Sequence, residues 1–156
     1  MVVITVGIIS AAIAPIFTSG FQAFISARNL SAMSAGGELA MDRMSIEMRG
    51  IDPSADFNAS TLPSATQFKF LQNGTTAVTY SVSGTSLNRN SNLLASNVQS
   101  LSLSYFNSGG TALTPPLTLA NAQSIWLVTI LLQLSTTQGS ESLTTTIYLR
   151  SGPINR

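Results

Sequence analysis

Few side chains in this chain of 156 residues are suited to covalent chemistry. Lys69 is its sole lysine, set among many serines, so a Ser–Lys pair is the one nucleophilic arrangement on offer. No particular serine is marked as its partner, and the alternation of Gln67 to Leu71 places Lys69 on a strand, facing water. Asp52, Asp56, Asn58 and Ser60 gather oxygen-bearing side chains of the type calcium takes. Their spacing matches no EF-hand loop, and an ordinary polar loop is the reading they support. Trp126 is assigned to core or interface packing rather than to a ligand platform. Histidine and cysteine are both absent. With them go the commonest general base, the usual activator of a nucleophile, and the imidazole and thiolate metal ligands. The expectation is a protein with no enzymatic activity, no cofactor and no metal.

The composition narrows the class further. Charged residues make up 8% of the chain and the formal net charge is +1. Ser, Thr, Asn and Gln supply the polarity instead, so no basic stripe exists to neutralise phosphates, and direct nucleic-acid binding is not expected. The length suits one domain, or a long element plus a smaller domain. Three triplets, beginning at Asn29, Asn58 and Asn73, match the N-glycosylation acceptor pattern, as chance allows in so polar a chain.

The elements that must position these residues begin with "MVVITVGIISAAIAPIF". No charge precedes Arg28, and the segment reads as a lipid-compatible helix. A spanning helix needs about 20 apolar residues, a length reached if the run continues through Phe21, Phe24 and Ile25. A buried core helix is the alternative. "AIAP" imitates a signal-peptide cleavage site, but there is no basic region before it and Pro15 would follow the scissile bond, so the segment reads as retained. Gly7 and Pro15 would cost an exposed helix about 1 and about 3 kcal/mol. Both suit a helix that packs closely on its own copies. The residues expected in that packing are Val3, Ile4, Gly7, Ile8, Ala11, Ala14, Pro15, Phe17, Phe21 and Phe24.

From Arg28 the helical period continues with one apolar stripe. Leu30, Met33, Met41, Met44, Met48 and Ile51 are expected to pack on a sheet, with Gly37 in the same stripe. Glu38, Asp42, Arg43, Glu47 and Arg49 occupy the other faces and are read as solvated, with Arg43 and Glu47 an i,i+4 ion pair worth a few tenths of a kcal/mol. Gly50 and the Asp52-Pro53 step stop the helix near residue 51. A continuous helix of that extent is a rod of roughly 75 Å at 1.5 Å per residue, so its first half must protrude. Gly36-Gly37 marks a close packing contact or a local bend.

Beyond Asp56 the period changes to two. "QFKFL" and "AVTYSV" flank the hairpin signal Asn73-Gly74. A turn at Ser83-Gly84 leads into "TSLNRN". "VQSLSLSYFN" is amphipathic, with Val98, Leu101, Leu103 and Tyr105 apolar after one break in phase. Ser124 to Ser135 reads as a central strand, and "SLTTTIYLR" closes the sheet. Residues 52–65 and 108–123 are expected as loops. The fold class is therefore α+β: a long protruding N-terminal helix packed on a C-terminal antiparallel β-sheet domain. Its parts are 1–27, the hydrophobic half of the helix; 28–52, the amphipathic half; and 53–156, the sheet domain.

Gly7 and Pro15 within "VGIISAAIAP", followed by an amphipathic helix and an antiparallel domain, resemble the type IV pilin and pseudopilin superfamily. "LAMDRMSIEMRGI" at Leu39 to Ile51 looks like a segment of minor pilins and J-type secretion pseudopilins. "TYSVSGTSLNRNSNLLASNVQSLSLSYFN" and "TTTIYLRS" are similar to the domain of that branch. Aligned on Gly7 and Pro15, the glutamate diagnostic of the family falls three residues before Met1, so the resemblance implies residues upstream.

What the resemblance implies is a structural subunit of a type IV pilus-like extracellular filament. Such a subunit is held in the bacterial inner membrane before assembly and polymerises through its hydrophobic helix. The partners are copies of itself or other pilins, together with assembly-platform proteins. The alternatives are a minor, priming or tip pseudopilin of a type II secretion or DNA-uptake machine in a periplasmic pseudopilus, and a membrane-tethered binding module that never polymerises. Adhesion, motility and secretion all fall within the family's range.

Overall fold

The computed structural model describes residues 2–149, with side chains from residue 15 onward. The chain divides into two compact units, Met1–Ala32 and Met33–Arg156. In the first, every described residue belongs to the helix α1, Val2–Arg49, whose remaining turns open the second.

The end of α1 follows from local chemistry. Gly50 and Ile51 donate their N–H groups to Glu47 and Met48 carbonyls at 3.2 and 3.1 Å, tightening the last turn. Asp52 is then an N-cap, its carboxylate accepting the Ser54 N–H at 3.0 Å, and Pro53 opens the short helix α2, Pro53–Asp56. An Asp cap followed by Pro at the first helical position starts a helix as surely as the same pair stops the preceding one. The expected loop 52–65 therefore contains a helical turn.

Two antiparallel four-stranded sheets follow, where the sequence suggests one. The first comprises β1 Gln67–Gln72, β2 Thr76–Ser83, β3 Ser86–Arg89 and β4 Asn92–Ser96, in that spatial order. Asn73 and Gly74 in the β1–β2 turn have φ of 54° and 68°, a region that Asn and Gly tolerate best. β4 escapes the sequence reading because it is short, its Leu93 is exposed, and the β3–β4 register shifts between Leu87 and Asn88.

The second sheet has the order β6-β5-β7-β8, with β5 Val98–Phe106, β6 Ala112–Leu113, β7 Leu127–Thr136 and β8 Gly139–Tyr148. The phase break in β5 is a bulge between Val98 and Ser100, after which Leu101, Leu103 and Tyr105 are buried in alternation. β7 is central, as its apolar content implies, and buries Val128, Ile130, Leu132 and Leu134. The expected loop 108–123 holds β6 and the short helix α3, Leu119–Gln123, capped by the Thr118 hydroxyl, which accepts the Asn121 N–H at 3.3 Å.

The two sheets meet where the chain leaves β4. Asn97, at φ 60°, accepts the Ser135 N–H, and Val98 donates to the Thr85 carbonyl. Burial changes phase across this point, with Ala95 and Val98 buried three positions apart, but a phase change alone does not reveal that the strand changes sheets. Phe68 of β1 links the two layers, with its ring 6.3 Å from Tyr105 of β5 and 6.1 Å from Phe57.

Candidate functional site

In the first unit the described side chains are almost all exposed. Ile16, Phe17, Phe21 and Phe24 are 71%, 74%, 66% and 66% accessible. Phe17, Phe21 and Phe24 recur at spacings of four and three, so they form one face of the helix. Beside them Gly20, Ala23 and Ala27, at spacings of three and four, form a strip without bulk. A Cβ added at Gly20 would meet nothing within 4 Å. Pro15 lies inside the helix, and its carbonyl accepts the Thr18 hydroxyl at 3.0 Å. Of the residues expected in helix assembly, the side chains of Val3, Ile4, Gly7, Ile8, Ala11 and Ala14 lie outside the described residues.

The second unit uses its helical turns differently. Met33, Met41, Met44, Met48 and Ile51 are buried, Met44 and Met48 completely, while Leu30 in the first unit is half-buried. Ile51 lies just past the end of α1 rather than on it. Gly37 is a packing glycine and not a bend. A Cβ there would come within 2.9 Å of Leu143 Cδ1, and closer still to Leu134 Cδ1, so the helix approaches β7 and β8 as closely as a side chain of zero size allows. Leu39 and Ile46, on the other side of these turns, are exposed.

The charged face is not mere solvation. Glu47 forms the expected pair with Arg43, Nε to Oε1 at 3.2 Å, on the solvent side. Its other oxygen, Oε2, accepts Tyr80 Oη from β2 at 2.7 Å and Arg89 Nε from β3 at 2.8 Å. A second guanidinium nitrogen of Arg89 continues to Gln72 Oε1 at 3.3 Å. Burial pushes the Glu47 carboxyl up, but hydrogen bonds from Arg89 and Tyr80 and the charge of Arg89 outweigh it and hold the carboxyl below its ordinary value. Burial and the adjacent carboxylate raise the Tyr80 phenol. Hydrogen bonding to Glu47 raises the Arg89 guanidinium. Glu47 thus clamps the helix to the first sheet as an anion. Tyr80 and Arg89 lie 33 and 42 positions away from it in sequence, beyond the reach of any local signal.

The chemical candidates are similarly occupied. Asp56 is buried and accepts the Asp52 N–H and the Gly74 N–H, both at 2.9 Å, so it ties α2 to the β1–β2 turn. Asn58 caps its own loop through Ser60 and Thr61. Lys69 is half-buried on β1. Trp126 is partly exposed just before β7, beside a groove shared with Asp52, Asn107 and Gln123. Among the described residues, no three His, Cys, Asp or Glu side chains gather as metal ligands.

A long N-terminal helix with exposed apolar residues and two four-stranded antiparallel sheets define an α+β protein. No protein-family model matches the chain, and a comparison with curated proteins gives no match. Among the described residues, no helix is long and apolar enough to cross a membrane.

Proposed function

We propose that this chain is a structural subunit of a type IV pilus-like filament, assembled through the exposed face of its N-terminal helix. The observation that carries the reading is the set of helix residues in 15–32 that no packing among the described residues explains. Three exposed phenylalanines leave large apolar surface in water, at roughly 25 cal/mol per Å². Gly20 costs its helix about 1 kcal/mol relative to Ala without making room for any group among the described residues. A second helix satisfies both: phenylalanines of one copy fill the strip left by Gly20, Ala23 and Ala27 on the next, as ridges enter grooves. Contacts of that kind join unlike faces, and wherever the rotation between copies does not close a ring they propagate as a helical polymer.

In this reading the opening residues, uncharged as far as Pro15, hold the unassembled subunit in the inner membrane, and the sheets form the outward surface of the filament. The chemistry required is packing alone. The test is electron microscopy of the intact protein as detergent is withdrawn. Filaments from the wild-type chain, lost in Phe21→Asp while the head retains its circular dichroism, are the expected result. Wild-type protein that stays monomeric would favour the membrane-tethered binding module.

A further inference from the structure

Each sheet has two edges, and three of the four are protected. β4 has five residues and lies beside the register shift of β3. β1 carries Lys69, and its entry is tied by Ser64, whose hydroxyl accepts the Gln67 N–H at 3.1 Å. β6 has two residues. Short length, bulges and lysines are the devices by which proteins discourage edge-to-edge pairing. β8 has none of them. It is ten residues long, pairs with β7 from end to end without a register shift, and contains no proline. Its only charge is Glu141. Among the described residues β7 is its only strand partner.

The direction of the unused backbone groups follows from one hydrogen bond. The Leu149 N–H donates to the Trp126 carbonyl at 2.9 Å, toward the β7 side. Antiparallel pairs alternate, so the N–H and C=O of Ser140, Ser142, Thr144, Thr146 and Tyr148 face away from β7. The side chains of these same residues are exposed.

We infer that the outer edge of β8 is an interaction surface for the β8 strand of a second copy, paired antiparallel about a two-fold axis at Thr144. The self-complementarity of the strand selects this occupant. Only a register centred on Thr144 pairs all of Ser140 to Tyr148. It sets Thr144 against Thr144, Ser142 against Thr146 and Ser140 against Tyr148, and hydroxyl pairs of this kind are favourable cross-strand neighbours. Glu141 falls opposite Ile147, so the two like charges stay at opposite ends of the joined strands. A two-fold contact closes on itself. It therefore does not build a filament, and it links heads in pairs whether or not the helices assemble.

The chain contains no cysteine, which makes the register directly readable. Single-cysteine full-length chains are oxidised mildly and resolved without reductant. Thr144→Cys alone is expected to run at twice the chain mass, because paired Cα atoms lie about 5.5 Å apart, within disulfide reach. Ser142→Cys alone and Thr146→Cys alone should remain monomeric, whereas an equal mixture of the two should cross-link. As a second check, Thr144→Lys in an otherwise native chain opposes two cations at the axis. It should reduce the paired fraction seen by chemical cross-linking, and mixing it with Thr144→Glu should restore that fraction. Absence of the Thr144→Cys dimer or of the mixed dimer overturns the proposal. So does equal linking by Ser142→Cys alone. These products depend only on β8, so failure of helix-driven assembly leaves them unchanged.

Discussion

Residues 15–32 and residues 33–49 belong to one helix, yet they use their apolar side chains in opposite ways. In the later turns Met33, Met44 and Met48 are buried, and Gly37 exists because Leu134 and Leu143 occupy the space its Cβ would take. In the earlier turns Phe17, Phe21 and Phe24 are exposed, and a Cβ at Gly20 would touch nothing. A costly residue that the chain itself explains is architecture. A costly residue left unexplained by the described residues is what the proposed assembly accounts for.

Substitutions can break or sharpen this contrast, and the largest effects belong to the later turns. Met44→Ala should destabilise the folded head by about 3 kcal/mol through the cavity it leaves, read as a fall in the denaturant midpoint. Gly37→Val should cost about 2 kcal/mol by overpacking against β7 and β8. Equal tolerance of valine at positions 37 and 20 would erase the distinction between the two turns.

Glu47→Ala should cost about 2 kcal/mol, since it strips Tyr80 and Arg89 of a charged hydrogen-bond acceptor. Its pH dependence has a definite sign. The carboxyl is held below its ordinary value in the folded chain, so its contribution is complete above the ordinary glutamate pKa and is lost as pH falls through the folded one. The stability gap between wild type and Glu47→Ala should therefore be constant near neutrality and narrow on acidification. A gap that widened toward low pH would contradict the clamp.

The smallest effects belong to the earlier turns. Gly20→Ala should raise helix stability in the isolated chain by up to about 1 kcal/mol while weakening any assembly that needs the strip. Phe21→Ser should change the stability of the head by less than about 0.5 kcal/mol, because the side chain is 66% exposed.

The same contrast explains what was legible in advance. The methionine stripe, the Asn73-Gly74 hairpin and the β5 bulge each leave a local trace: a period, a dipeptide or a phase break. Pro53 is a stop signal in the sequence and also a start, because one residue serves both neighbouring segments. β4 and α3 are short, so packing rather than pattern decides them. The split into two sheets and the Tyr80–Glu47–Arg89 clamp join residues far apart in sequence, and pairings of that kind write nothing into the stretches they connect. The helix face at 17, 21 and 24 is legible as apolar residues, whereas the open space beside Gly20 is a property of the fold and leaves no mark in the sequence.

The central claim is that the Phe17, Phe21 and Phe24 face packs against the same helix of another copy. A photo-crosslinking phenylalanine analogue at position 21 of the intact chain, activated after detergent withdrawal, tests it most directly, with adducts mapped by mass spectrometry. The account predicts adducts between copies, concentrated on residues 20–27 of the neighbouring helix. Adducts confined to the sheets of the same chain, or none between copies, would contradict it.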